Sequence, residues 1–423
     1  MNKHFPCGHW HRKEIPICLH PITSEKIRVP HSCYQSIDLY VYGSEVFVFF
    51  PMWEDLDPNG TLSLVWDSAG RVYIAGQGMV NYSESPIWSM VEWDTEIIGV
   101  RSPGAEVVND TYYAVAGTDF YDPDGWATYI WIYRNELKYR KKLFYCPDMN
   151  DHEYYIYGGG TNFSMNAMGD IVIPCSTKDY VNDTRGVRVA VSHDYGNTFN
   201  EVQVFTFNYT TYKADFWVPF VVEDANGIIW LVVGYRRELA TAVFKFLVYK
   251  STDKGNSWSY VNEIITDYDS AMHPMFYVDG TDLYIGAETE KKIYKSTDNG
   301  ATFNLISTLT DTYFYGFGVN NGVICALTCT TDYTIKRSVD GGGSYSTVKT
   351  MVPGSGKVGY IGLDSRGRFR HRGDVWVFTS YEFNKDDLLL FLISYDNGVT
   401  WEDIPSTVTY YEDIAYAEQF TYG

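Results

Sequence analysis

Two groups of side chains have the types and spacing to hold a metal ion. Cys7-Gly8-His9 and Cys18-Leu19-His20 repeat a Cys-x-His pair in a stretch, residues 1–35, that holds five of the nine His and three of the seven Cys. Thiolate sulfur and imidazole nitrogen are what tetrahedral zinc takes, so Cys7, His9, Cys18 and His20 are candidate zinc ligands. Their spacing matches no standard zinc pattern, and the competing reading is an irregular arm that docks a protein partner or packs on the rest of the chain. Asp55, Asp57 and Asn59, and again Asp119, Asp122 and Asp124, place oxygen ligands at calcium-like spacing. Neither loop has Glu at the twelfth position, where Trp66 stands in the first, and Asp-Pro-Asn-Gly and Asp-Pro-Asp-Gly are also ordinary turns.

The elements that would position such residues are announced by a repeat. Ser192 to Phe199, Ser251 to Trp258, Ser296 to Phe303, Ser338 to Tyr345 and Ser394 to Trp401 all read Ser-x-Asp-x-Gly-x-Thr/Ser-aromatic. Each reads as a hairpin turn: Asp194, Asp253, Asp298, Asp340 and Asp396 accept hydrogen bonds from turn amides, and the Gly takes a left-handed conformation. The aromatic then opens the next strand and packs on the neighbouring repeat. The runs before each copy, such as Lys245 to Tyr249 and Leu389 to Ile393, are apolar and β-forming.

The leading serines are 59, 45, 42 and 56 residues apart. That period suits four-stranded propeller blades of about 40–50 residues. The expected fold is therefore all-β: a β-propeller over residues 36–423, preceded by the arm of residues 1–35. Five boxed blades and about two unboxed ones make seven, with six or eight open to a different pairing of the early hairpins. Thr407 to Tyr411 is a candidate strand for closing the ring.

The repeated turn resembles the Asp-box, or bacterial neuraminidase repeat, of a superfamily of β-propellers that includes sialidases, other glycosidases, sorting receptors, assembly factors and adhesins. The resemblance implies that the box lies between the third and fourth strands of a blade, away from the binding face, and marks the fold. Sialidases of that group grip a substrate carboxylate with three Arg and attack with a Tyr supported by a Glu; an Asp acts as acid/base. Arg28 in Arg28-Val29-Pro30 matches the first Arg in sequence and place. Arg236 or Arg237 follows a strand as the second does, Tyr360 stands where the nucleophile would open a blade, and Arg337 is available as a third Arg. The chain departs from the pattern at Val218-Pro219, where the family carries Glu-Pro. The acid/base Asp is undecided among Asp38, Asp55 and Asp57.

Composition narrows the partners. The formal charge of −20 disfavours nucleic acid and anionic membranes, which need a basic face. No apolar run reaches the 18 residues of a membrane span, and Met1 to Cys7 lacks the apolar core of a secretory signal. Seven Cys form no dense disulfide framework; Cys325 and Cys329 fall on one strand face and read as buried thiols. The stretches Tyr145 to Thr161, Ser176 to Arg185, Tyr209 to Phe216 and Tyr381 to Asp387 read as long loops rich in Tyr, Asp and Asn. That palette stacks on sugars and binds hydroxyls. The expectation is a recognition protein for a glycan or cell-surface receptor, on an extracellular or virion surface, in a layout resembling phage attachment proteins. The alternatives are a sialidase-like exo-glycosidase and an assembly scaffold.

Overall fold

In the computed structural model, residues 1–18, 22–38, 49–62, 90–99, 147–154, 267–274, 352–367, 382–388 and 404–423, with shorter stretches between strands, lie outside the described residues. Apart from one helical residue, Thr210, the elements among the described residues are β-strands. The first seven are β1 (Leu19–Pro21), β2 (Leu39–Tyr42), β3 (Glu45–Val48), β4 (Ser63–Trp66), β5 (Val72–Gly76), β6 (Met79–Glu84) and β7 (Ile87–Ser89). β4 to β7 form an antiparallel meander, and β1, from the arm, adds to its outer edge through His20 opposite Trp88. β2 and β3 form a separate hairpin.

Four-stranded antiparallel sheets follow in chain order, consistent with propeller blades. The first is β8 (Val100–Asn109), β9 (Tyr112–Asp119), β10 (Trp126–Arg134) and β11 (Leu137–Cys146). In the next, β12 (Tyr155–Tyr157) and β13 (Ser164–Met165) both pair with β14 (Ile171–Asp179), which leads to β15 (Thr184–Ser192) and β16 (Asn200–Asn208). The third repeats this split: β17 (Ala214–Phe216) and β18 (Phe220–Glu223) both pair with β19 (Ile229–Arg237), followed by β20 (Val243–Ser251) and β21 (Ser259–Thr266). Then come β22 (Met275–Asp279), β23 (Asp282–Ala287), β24 (Lys292–Ser296) and β25 (Asn304–Thr308). β26 (Tyr313–Asn320), β27 (Val323–Cys329), β28 (Tyr333–Ser338) and β29 (Ser346–Met351) form the next sheet. The last is β30 (Arg368–Arg372), β31 (Val375–Tyr381), β32 (Leu389–Ser394) and β33 (Glu402–Asp403).

Period-2 alternation decides how these sheets pack. In β14, Ile171, Ile173 and Cys175 join the core shared with β9 to β11, whereas Val172 joins the core shared with β19 and β20. In β19, Leu231 and Val233 face back and Trp230 and Val232 face forward. A strand buried on both faces is apolar wherever no partner meets a polar group, which is why β14 opens as an apolar run, Ile171 to Cys175, and β27 is apolar but for Thr328. The first strands touch in succession: β4 meets β8, β8 meets β13, β13 meets β18, β18 meets β22, β22 meets β26 and β26 meets β30. β2 lies against both β30 and β4, so the N-terminal hairpin sits between the last sheet and the first.

One expected loop is absent. Ser176 to Arg185 is strand as far as Asp179 and again from Thr184, because backbone pairing through Lys178 with Arg185 and Asp179 with Thr184 carries the β14–β15 hairpin to a short turn.

Candidate functional site

Every sheet has two unlike ends. At one end lie the turns between first and second strands and the five boxes, each joining third to fourth strand. In the clearest copy, Ser296 Oγ donates to Asp298 Oδ1 (2.8 Å) and accepts from Gly300 N (2.9 Å), while Thr302 donates its N–H to Oδ1 (2.9 Å) and its hydroxyl to Oδ2 (2.6 Å). The same four bonds recur about Asp194, Asp253, Asp340 and Asp396. These bonds to the charged form hold Asp298 down at about 2, the Thr302 hydroxyl contributing most. Consecutive residues at positive φ, such as Asn299 (57°) and Gly300 (79°), give the hairpin its primed turn.

Each box also leans on the sheet before it. A Cβ on Gly196 would strike Ile132, one on Gly255 would meet Val172 and Val191, one on Gly300 Trp230, one on Gly342 Ile306 and one on Gly398 the Cys325 sulfur. The closing aromatics Phe199, Trp258, Phe303, Tyr345 and Trp401 enter the same inter-sheet cores. Polar bonds add to the seam. Asp170 takes Lys254 (2.7 Å) and His193 (2.8 Å). Burial pushes its carboxyl up, but those partners and Asn166 outweigh burial and keep it below its ordinary value. The box end is thus occupied by its own scaffolding.

The opposite end carries an aromatic array. In the β26 to β29 sheet, Tyr313, Cys329, Tyr333 and Met351 lie in one cross-strand row. A bulge between Phe314 and Gly316 leaves Tyr315 as the extra residue. Its effect is visible in the packing: Phe314 and Phe317 both enter the core with β22 to β24, while Tyr315 joins Tyr333 on the other face. Tyr313, 46% exposed, stacks on Tyr315 with centroids 5.9 Å apart and planes at 22°. Tyr315 in turn lies 5.8 Å from Tyr333. Burial chiefly, with Tyr333, Cys329, Tyr313 and Glu288 adding, pushes the Tyr315 hydroxyl up. That is the wrong direction for a nucleophile and suits a neutral contact surface. Polar turns border the array: Thr330 Oγ1 donates to Asp311 Oδ1 (3.4 Å), Lys336 pairs with Asp311, and Lys292 pairs with Glu290 (2.8 Å).

Solved structures are similar to this chain at low identity. An α-L-arabinanase from Penicillium chrysogenum is 13% identical over 69% of this chain and 92% of its own, with a TM-score of 0.47. A Hadza microbial sialidase is 12% identical over 76% of this chain and 68% of its own, at 0.42. A mutant puromycin hydrolase is 9% identical over 84% of this chain and 55% of its own, at 0.52, a likeness of fold. No protein-family model and no curated protein matches the chain.

Of the arginines singled out in the sequence, Arg236 and Arg337 lie at opposite ends of their sheets. Arg236 lies at the end opposite the boxes, in register with Asp215, its Cζ 5.7 Å from the Phe244 ring and its Nε buried with no hydrogen-bond partner among the described residues. Arg237 follows it as the last residue of β19. Arg337 is at the box end, where its Nε donates to Asn397 O (2.8 Å). Arg28 and Tyr360 lie outside the described residues, as do Cys7, His9, Cys18, Asp55, Asp57, Asn59, Asp122 and Asp124. His20 is in β1 and Asp119 ends β9. Among the described residues no three His, Cys, Asp or Glu gather to hold a metal ion. Sequence reasoning misses the Tyr313 array because Tyr-Phe-Tyr reads as ordinary strand. The available signal is the glycine pair in Tyr315-Gly316-Phe317-Gly318, which breaks the alternation.

Proposed function

We propose that the chain is a non-catalytic glycan- or receptor-recognition propeller of seven blades, with β2–β3 at the seam, acting on an extracellular or virion surface. The end opposite the boxes is its binding face. The observation that carries this reading is Tyr313: one ring face against Tyr315, the ring half exposed, among hydroxyls and carboxylates of the surrounding turns. An aromatic plane with polar neighbours is what a pyranose needs, since its C–H face stacks and its hydroxyls hydrogen-bond.

A glycan array read with the wild type and with Tyr313→Ala tests it. Loss of about 1.4 kcal/mol of stacking weakens binding about tenfold. Equal binding by a folded Tyr313→Ala protein refutes the assignment of this face. Rereading the same spots for loss of a terminal sugar tests the exo-glycosidase alternative, in which Arg28, Arg236 or Arg237 and Tyr360 would carry the chemistry.

A further inference from the structure

We infer that the Tyr313 face selects neutral saccharides and discriminates against those bearing a carboxylate, an inference that rests on the glycan reading above. Two observations carry it. The first is the sign of the charge at this rim. The β23–β24 turn supplies Glu288 and Glu290, the segment before β26 supplies Asp311, and the β27–β28 turn supplies Asp332. Asp311 accepts from Thr330 Oγ1 and pairs with Lys336, and Asp332 lies between Cys329 and Tyr333, which are partners in the aromatic row; both carboxylates add to the burial that raises the Cys329 thiol. Glu288 acts in the same way on Tyr315.

The second observation is how the neighbouring cations are used. Lys292 is paired with Glu290 at 2.8 Å, and Lys336 with Asp311. Both lysine side chains are less than a third exposed, so recruiting either to a ligand would uncover its own partner. Lys291 remains as a cation of the same turn. Four carboxylates (Glu288, Glu290, Asp311, Asp332) against three lysines (Lys291, Lys292, Lys336), with each ion pair cancelling one of each, give the rim a net charge of −1 and an acidic ligand more repulsion than attraction. A neutral ring meets none of that repulsion and gains acceptors for its hydroxyl protons. The charge of −20 over the whole chain acts in the same direction at longer range.

The test is a set of matched glycan pairs, each an uncharged chain and the same chain capped with a carboxylated sugar, titrated against the full-length protein. The neutral member should bind at least tenfold more tightly. Raising salt from about 50 to about 500 mM should narrow the gap, because the discrimination is electrostatic and screened. Asp332→Lys, checked for an unchanged thermal transition, should improve binding of the acidic member at least threefold. Tighter binding of the acidic members overturns this inference and leaves glycan recognition standing. A gap that neither salt nor Asp332→Lys narrows also overturns it, since the rim charges would not be its source. Failure of every member to bind overturns the inference together with the glycan reading beneath it.

Discussion

Replacing Gly300 by alanine isolates what the box does for the fold. Gly300 has φ +79°, and an added Cβ would lie 2.9 Å from Trp230 Cζ3 and 3.1 Å from Val261 Cγ1. Trp230 cannot step aside: it is fully buried, and its Nε1 donates to Asp224 Oδ2 at 2.9 Å. The substitution therefore carries two costs, about 1 kcal/mol for alanine in the left-handed region and about 1–3 kcal/mol for displacing packed atoms. Their sum is about 2–4 kcal/mol. Gly322→Ala is the internal control, because its φ is +76° but nothing lies within 4 Å of the added Cβ, leaving the backbone cost of about 1 kcal/mol. Urea unfolding followed by tryptophan fluorescence, compared at equal m-value, gives both numbers. Equal losses for the two variants would refute the claim that the box is wedged between sheets.

Asp224→Ala should cost about 2–3 kcal/mol in the same assay, since it strands the buried Trp230 indole N–H and the Asn226 and Ile228 amides; a loss below about 1 kcal/mol would contradict this. Asp298 is depressed on folding to about 2, so its contribution is complete above about pH 4 and is lost as pH falls through about 2. Acid unfolding should begin in that window, and Asp298→Asn should flatten the pH dependence there; an unaltered slope would count against the box carboxylates as its source. Burial pushes the Cys325 thiol up to about 12 despite Arg337, so a disulfide reagent at pH 8 should label it only after unfolding, and rapid labelling of native protein would contradict that placement.

The repeats are legible in the sequence because they are local. Ser, Asp, Gly and Thr or Ser must stand at fixed offsets to make four bonds within eight residues, so box and sheet spacing can be read directly from the chain. The split first strands are not legible. β12 and β13 share one partner across a gap that depends on β14, and β17 and β18 share β19 around Pro219, an arrangement set by pairing over distance. The length of β14 and β15 is hidden too, since Lys178, Asp179 and Thr184 have loop-like side chains but paired backbones. At the candidate site, Arg236 can be picked out but its separation from Arg337 cannot, because both follow apolar strands that run toward opposite ends. Tyr313 and Tyr315 gain meaning only from a bulge, which is a mismatch between two strands and leaves no mark in either alone beyond the nearby glycines.

The backward lean of the boxes gives the molecule an arrow. Each box glycine and its aromatic come to rest on a sheet made from earlier residues, and the first box, at Gly196, rests on Ile132 of a sheet that carries no box. A chain emerging from the ribosome would find every docking surface already synthesised, so each unit could seat as it appears without waiting for later residues. The exception is the β2–β3 hairpin, which touches β30 and β31. It is made before any box and must wait for β30 and β31, so on that side an early stretch has its neighbours completed late.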